Sequence, residues 1–273
     1  QAATSDWSPW SGFTTGSLIL VPTTWTPSAT AGSSELITYA SSINKFIAAS
    51  SGLTGNIYTS TDGNNWTQTA TLAISSNVNG IATNGTRTII LPQTRSDPYH
   101  YSDDGVTWTS TTSVPGSGGT FPPVTIGYGN GVFMTRSTNA GVARTYTSSD
   151  GVSWVDAGPS VSSSFYTYAN DAWFSGENEF LYRSTNNGVS WTQVLSAGAG
   201  STLGNVTYDG TYYYCTRNPG GGGIYIYRST DGQTWSFLTT ITTSGPSSYQ
   251  IASDEGFVIV PESNGPWVST DQG

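Results

Sequence analysis

Tyr128–Trp154 reads Y-G-N-G-V-F-M-T-R-S-T-N-A-G-V-A-R-T-Y-T-S-S-D-G-V-S-W. Two tight-turn signals stand in it, Asn130-Gly131 and Asp150-Gly151. Asn-Gly and Asp-Gly supply the positive φ angles that a two-residue hairpin needs. The runs between them are short and rich in β-branched and aromatic residues, the mark of strands. Ser148 and Asp150 can bond backbone groups inside their own turn. Trp154 then opens the next strand with a large apolar face.

The second half of this stretch recurs along the chain. It appears as S-T-D-G-N-N-W from Ser60, S-D-D-G-V-T-W from Ser102 and S-T-N-N-G-V-S-W from Ser184. It returns as S-T-D-G-Q-T-W from Ser229 and ends as S-T-D-Q-G from Ser269, where the sequence stops. With the copy at Ser148 there are six, their serines 36 to 46 residues apart. The first half recurs too, with turns at Asn84-Gly85 and Asp209-Gly210. Each unit is then four short antiparallel strands in about 40–45 residues, the period of a propeller blade. No helical period is sustained anywhere. The expected fold is all-β, a six-bladed β-propeller of four-stranded antiparallel blades.

The last motif lacks its Trp strand, and Trp25 lacks a preceding motif. The segment around Ser17–Thr26 is therefore expected to complete the last blade, closing the ring and covering a bare sheet edge. Residues 1–16 remain as an N-terminal arm and 17–273 form the propeller. Trp7 and Trp10 in that arm are available to dock on a neighbour.

Composition narrows function. The 273 residues carry a formal charge of −9, with charged residues at 9%, against about 25% in an average domain. A nucleic-acid binder needs a Lys/Arg footprint, and there are only 8 such residues. No apolar run is long enough to span a membrane. The polar, lysine-poor composition suits an extracellular or virion surface. The start at Gln1, with no basic-then-apolar leader, reads as a trimmed or mature product. With one histidine (His100) and one cysteine (Cys215), neither a zinc site nor a Ser-His-Asp triad is expected. No cofactor or metal is expected. His100 reads as a strand position and Cys215 as a buried thiol.

The repeated motif resembles the Asp boxes, or BNR repeats, of sialidase-like propellers. It is also similar to the Y-G-N-G-x-F … S-x-D-G-x-x-W repeats of phage tail and fibre proteins and bacterial surface proteins. The family pattern is S-x-D-x-G-x-T-W. The Ser184 copy keeps that spacing but has Asn186 for Asp, and the other complete copies are one residue shorter. The resemblance implies that Asp62, Asp104, Asp150, Asn186, Asp231 and Asp271 are structural, on the face away from any ligand.

The opposite face would be built from the blade-to-blade loops and the loops between second and third strands. Arg95, Arg136 and Arg217 each follow a Thr at the end of a second strand. Guanidinium groups there could hold a carboxylate or sulfate bidentately. In sialidases three arginines hold the sugar carboxylate beside a Tyr–Glu pair and an Asp acid. The matching groups would be Tyr166 with Asp97, Glu177, Glu179 and Glu262. The family's Arg-Ile-Pro motif is absent, and no arginine precedes Arg87. Phe165, Phe121 and Tyr249 offer aromatic faces to a sugar. The expected function is a non-catalytic recognition or assembly module, binding a glycan or a neighbouring subunit. The alternatives are a sialidase-like glycoside hydrolase and a structural bead of a filament or phage appendage.

Overall fold

The structure is a computed structural model. It describes residues 34–50, 54–94, 96–111, 125–139, 141–161, 165–220, 223–242, 250–254, 257–260 and 267–269. The expected closing strand at 17–26, the arm with Trp7 and Trp10, and Arg95, Glu262, Asp271, Phe121 and Tyr249 lie outside them.

The described chain is all-β, and a 3-10 turn at Ser41–Ile43 is its one helical element. Six antiparallel sheets follow one another in sequence. The first blade holds β1 (Ser34–Ala40), β2 (Lys45–Ser50), β3 (Asn56–Ser60) and β4 (Thr67–Thr71). The second holds β5 (Val78–Thr83), β6 (Thr88–Pro92), β7 (Tyr99–Ser102) and β8 (Thr109–Thr111). The third holds β9 (Ile126–Gly129), β10 (Val132–Asn139), β11 (Val142–Ser148) and β12 (Val155–Pro159). The fourth holds β13 (Phe165–Ala169), β14 (Ala172–Glu177), β15 (Phe180–Ser184) and β16 (Thr192–Ser196). The fifth holds β17 (Thr202–Tyr208), β18 (Tyr213–Asn218), β19 (Ile224–Ser229) and β20 (Ser236–Ile241). The sixth shows three strands, β21 (Ala252–Asp254), β22 (Phe257–Val260) and β23 (Trp267–Ser269). The first strands stand side by side in ring order, β1 against β5, β5 against β9, and so on to β21. This is a propeller of six blades.

The core lies between blades, because a single four-stranded sheet cannot bury both its faces alone. Ile47 and Ile57 of blade one pack on Ile81 and Ile90 of blade two. Ile89 and Leu91 then meet Ile126 and Phe133, and Met134 meets Tyr166 and Trp173. Phe174 and Leu181 meet Val206 and Cys215, and Tyr214 and Ile226 meet Ile251 and Val258. Second strands are the most buried, and β6 is buried at every position. Outer strands such as β4 and β16 are largely exposed.

The repeated Ser-x-Asp-Gly turn joins third and fourth strands in each complete blade. In blade three the Ser148 hydroxyl donates to Asp150 Oδ1 at 2.9 Å, and the Gly151 N–H donates to Ser148 Oγ at 2.8 Å. Asp150 Oδ1 also accepts the N–H groups of Val152 and Ser153, both at 2.8 Å. One carboxylate oxygen thus satisfies the donors that the turn leaves free. The pattern repeats at Asp62, Asp104 and Asp231. Those bonds hold Asp104, Asp150 and Asp231 down at about 2 and Asp62 lower still, foremost through the backbone N–H groups. In blade four the extra residue puts Asn187 at φ 52°. Asn186 Oδ1 there accepts from the Ser184 hydroxyl and from Ser190 N–H.

These turns share a face with the turns between first and second strands. Lys45 Nζ donates to the Asp104 carbonyl of the next blade at 3.2 Å. Arg87 pairs with Asp103 at 2.7 Å and also donates to the Asp150 carbonyl of blade three. Asn130 Nδ2 reaches Asn187 Oδ1 of blade four. This face is a belt of bonds from blade to blade.

Candidate functional site: the loop face and a rim cleft

The opposite face carries the ends of the second strands. Arg136 lies half-buried in β10, paired with Thr145 on β11. Arg217 lies two blades further on in β18, with its guanidinium carbon 5.1 Å above the Tyr225 ring. Its Nη2 also donates to the Gly198 carbonyl in the loop between blades four and five, at 3.5 Å. Glu177 ends β14 on the blade between them, half-buried. Glu177 and Glu179 lie near enough to Tyr182 to help raise its pKa, behind the larger effect of burial. Glu177 and Arg217 stand at the loop ends of their second strands, whereas Arg136 lies within β10, three residues before its end.

Tyr166 sits elsewhere than a reactive phenol must. It is 2% exposed and stacks on Trp191 with ring centroids 5.6 Å apart. Its hydroxyl lies 2.7 Å from Ser160 Oγ and 3.4 Å from Thr145 Oγ1. Burial raises its pKa above the ordinary value, against the weaker opposing pull of these bonds and of the Arg136 charge. It is a core residue between blades three and four.

Asp97 is also committed. It is 6% exposed. It accepts from the Ser75 N–H and from the hydroxyls of Ser75, Ser76 and Thr94. These bonds overcome the cost of burial and keep its pKa below the usual carboxylate value. Asp97 ties the loop entering blade two to the turn after β6. His100, three residues on, is 6% exposed in β7. Burial lowers its pKa, outweighing the Pro98 carbonyl and the Asp97 charge, so the imidazole is neutral at pH 7.

A cleft of about 290 Å³ opens between the outer edges of blades one and two. Ala70, Thr71, Leu72 and Ala73 form one wall, and His100, Val106, Trp108 and Ser110 the other. His100 Nδ1 and Trp108 Nε1 are buried ring nitrogens with no hydrogen-bond partner. Trp154 and Trp191 Nε1, at the same place in the repeat of blades three and four, are buried and unpartnered as well.

No protein-family model and no curated protein matches the sequence. Solved structures do match its shape. One is the extracellular domain of a putative one-component system from B. thetaiotaomicron, with TM-score 0.58 and 12% identity, covering 83% of this chain and 31% of that one. Another is in a nidogen/laminin complex, with TM-score 0.56 and 11% identity over 76% of this chain and 78% of that one. A third is the GH74 enzyme of Niastella koreensis, with TM-score 0.53 and 22% identity over 85% of this chain and 36% of that one. The likeness is one of fold. The chain is a β-propeller.

Sequence reasoning read Arg136, Glu177 and Arg217 as loop-face positions at the ends of second strands, whereas all three lie inside β10, β14 and β18, and it missed the cleft. The signal was there. Counting back two from each motif serine gives Tyr58, His100, Tyr146, Tyr182, Tyr227 and Trp267. His100 is the single departure from a bulky aromatic.

Proposed function

We propose that this propeller is a non-catalytic recognition module, displayed outside the cell or on a virion, that binds an acidic glycan on its loop face. The observation that carries the reading is Arg217 laid over Tyr225 beside the Gly198 carbonyl. A guanidinium held against a ring keeps its N–H edge oriented for a carboxylate or sulfate, while the ring offers a face to sugar C–H groups. Arg136, two blades away, extends the positive character of that face. The Ser-x-Asp-Gly turns support kinship with Asp-box propellers, with the box carboxylates committed to their own turns. The burial of Tyr166 weighs against a sialidase mechanism, which needs a phenol that substrate can reach. Residues 1–16, with Trp7 and Trp10, would serve attachment to a larger assembly.

A glycan array with sialylated, sulfated, uronic-acid and neutral members tests this. Wild type should retain acidic glycans, and Arg136→Ala/Arg217→Ala should weaken binding at least about tenfold, the equivalent of about 1.4 kcal/mol. Equal binding by the double variant would overturn the assignment of the site. Turnover of a fluorogenic sialoside by wild type would overturn its non-catalytic character.

A further inference from the structure

We infer that the loop-face site continues outward over the rim of blade five as an aromatic shelf for a second, neutral sugar ring. The site then takes an acidic ring and its uncharged neighbour in one chain. This rests on the reading of Arg217 and Tyr225 as the acidic-sugar site, and it names the kind of glycan that fits there.

The shelf is a departure from the repeat. Arg217 on β18 faces Tyr225 on β19, and Tyr227 on β19 faces Phe237 on β20. Residues two apart on a strand share a face, so these four side chains lie on one face of the sheet. It is the face turned towards blade four, since Tyr227 packs against the cluster of Phe174 and Leu181. The Phe237 ring stands nearly perpendicular to Tyr225 at 5.7 Å and to Tyr227 at 6.0 Å. It is 55% exposed, the only exposed aromatic among the described side chains. The other blades are polar at this place. The residue matching Phe237 is Gln68, Ser110, Asp156 and Gln193 in blades one to four. Gln68 is bonded to Asn56 at 3.1 Å and Asp156 to Arg144 at 2.9 Å, each pair closing on itself. Blade five instead leaves apolar surface in water, which is unfavourable unless something covers it.

The two ends of the shelf ask for different groups. The tip of Arg217 reaches the surface, where Nη2 meets the Gly198 carbonyl at 3.5 Å. A Cβ on Gly198 would stand 3.2 Å from that nitrogen, so the glycine leaves room for it. Arg217 Nε is buried, and an anion would be held by the Nη groups. An aromatic face carries the negative part of the ring's quadrupole. The Phe237 face therefore disfavours an anion and suits the C–H groups of an uncharged ring. Strands β18 and β20 lie two strand spacings apart, about 10 Å. That span is too long for one pyranose ring and suits two in line. Thr240, exposed opposite Tyr225, offers a hydroxyl to the sugar hydroxyls beside it.

Calorimetric titration with three probes tests this. They are methyl glucuronide, a hyaluronan tetrasaccharide and a galacturonic acid tetrasaccharide. Charged and neutral rings alternate in the second, and every ring is charged in the third. Wild type should bind the alternating chain about tenfold more tightly than methyl glucuronide, and the all-acidic chain without that gain. Phe237→Gln installs the residue that blades one and four carry and should erase the difference between the alternating chain and the monosaccharide. Phe237→Trp should keep the difference. Arg217→Ala should weaken all three probes. If Phe237→Gln bound the alternating chain as tightly as wild type, the shelf would be overturned while the Arg217 site stood. An equal gain with the all-acidic chain would overturn the neutral second ring. Binding of none of the three by wild type would overturn the shelf, and the glycan array would decide separately whether the loop face holds any acidic glycan.

Discussion

The motif turns of blades one and three are built alike and seated differently. Both hold a glycine at positive φ, Gly63 at 74° and Gly151 at 73°. In both, one carboxylate oxygen gathers two backbone N–H groups. A Cβ added to Gly151 would lie 2.3 Å from Ile89 Cδ1 on the preceding blade. Gly105, Gly188 and Gly232 are wedged in the same way against Ile47, Met134 and Phe174. Among the described residues, Gly63 meets only the Phe46 ring of its own blade, at 3.8 Å. The turn is thus a local device, and its second use, as a peg in the neighbouring blade, belongs to the ring. The glycine is required once for its φ and again for the close approach.

The largest expected effect is that of Gly151→Ala. It combines a left-handed backbone with overpacking against a fully buried isoleucine and should cost about 3 kcal/mol in urea unfolding. Gly63→Ala should cost about 1 kcal/mol, from the backbone alone. If the two costs were equal, the first turn would be seated as well. Its partner would then be Ile259, the register equivalent of Ile89 in blade six. Ile89→Val removes the methyl that the new Cβ meets. Alone it should cost about 1 kcal/mol, but in the Gly151→Ala background it should recover the part of the loss due to overpacking, leaving the backbone cost.

Asp104→Ala should cost about 1–2 kcal/mol, because two backbone N–H groups lose a charged acceptor. Asp150→Ala should match it, since this loss is internal to the turn. A large difference between the two would mean that the carboxylates also serve the seat.

Acid should act through the same bonds. The folded pKa of these aspartates lies below the unfolded value near 3.8, at about 2 for Asp104, Asp150 and Asp231. Their contribution is therefore complete above pH 4 and is lost as pH falls through 3.8 towards 2. Carboxyl carbon NMR should show Asp62 titrating last, because the Asn65 amide also bonds its Oδ2.

The smallest effect should come from Arg144→Gln. The Arg144–Asp156 pair is about one-third exposed and joins strands of a single blade. Its loss should shift the urea midpoint least of all these variants, and the shift should vanish in high salt.

Much of the fold was legible because turn chemistry is short-range. Asn-Gly, Asp-Gly and the serine three residues before the motif glycine state where each hairpin reverses. The spacing of copies then sets the blade count. The candidate site was less legible. Tyr166 looked like a loop-face aromatic, yet its strand alternation turns it inward onto Trp191. Asp97 looked like one of several loose carboxylates, yet three hydroxyls converge on it from Ser75, Ser76 and Thr94. Those partners lie up to 22 residues away in sequence, and no local signal announces them.

The sequence by itself determined the hairpins, the period and the number of blades, since each depends on residues within a few positions of one another. Tertiary structure alone decided which glycines serve as pegs and which phenols are buried. Those outcomes depend on the volume that one blade presents to the next, and packing couples residues that the chain keeps far apart.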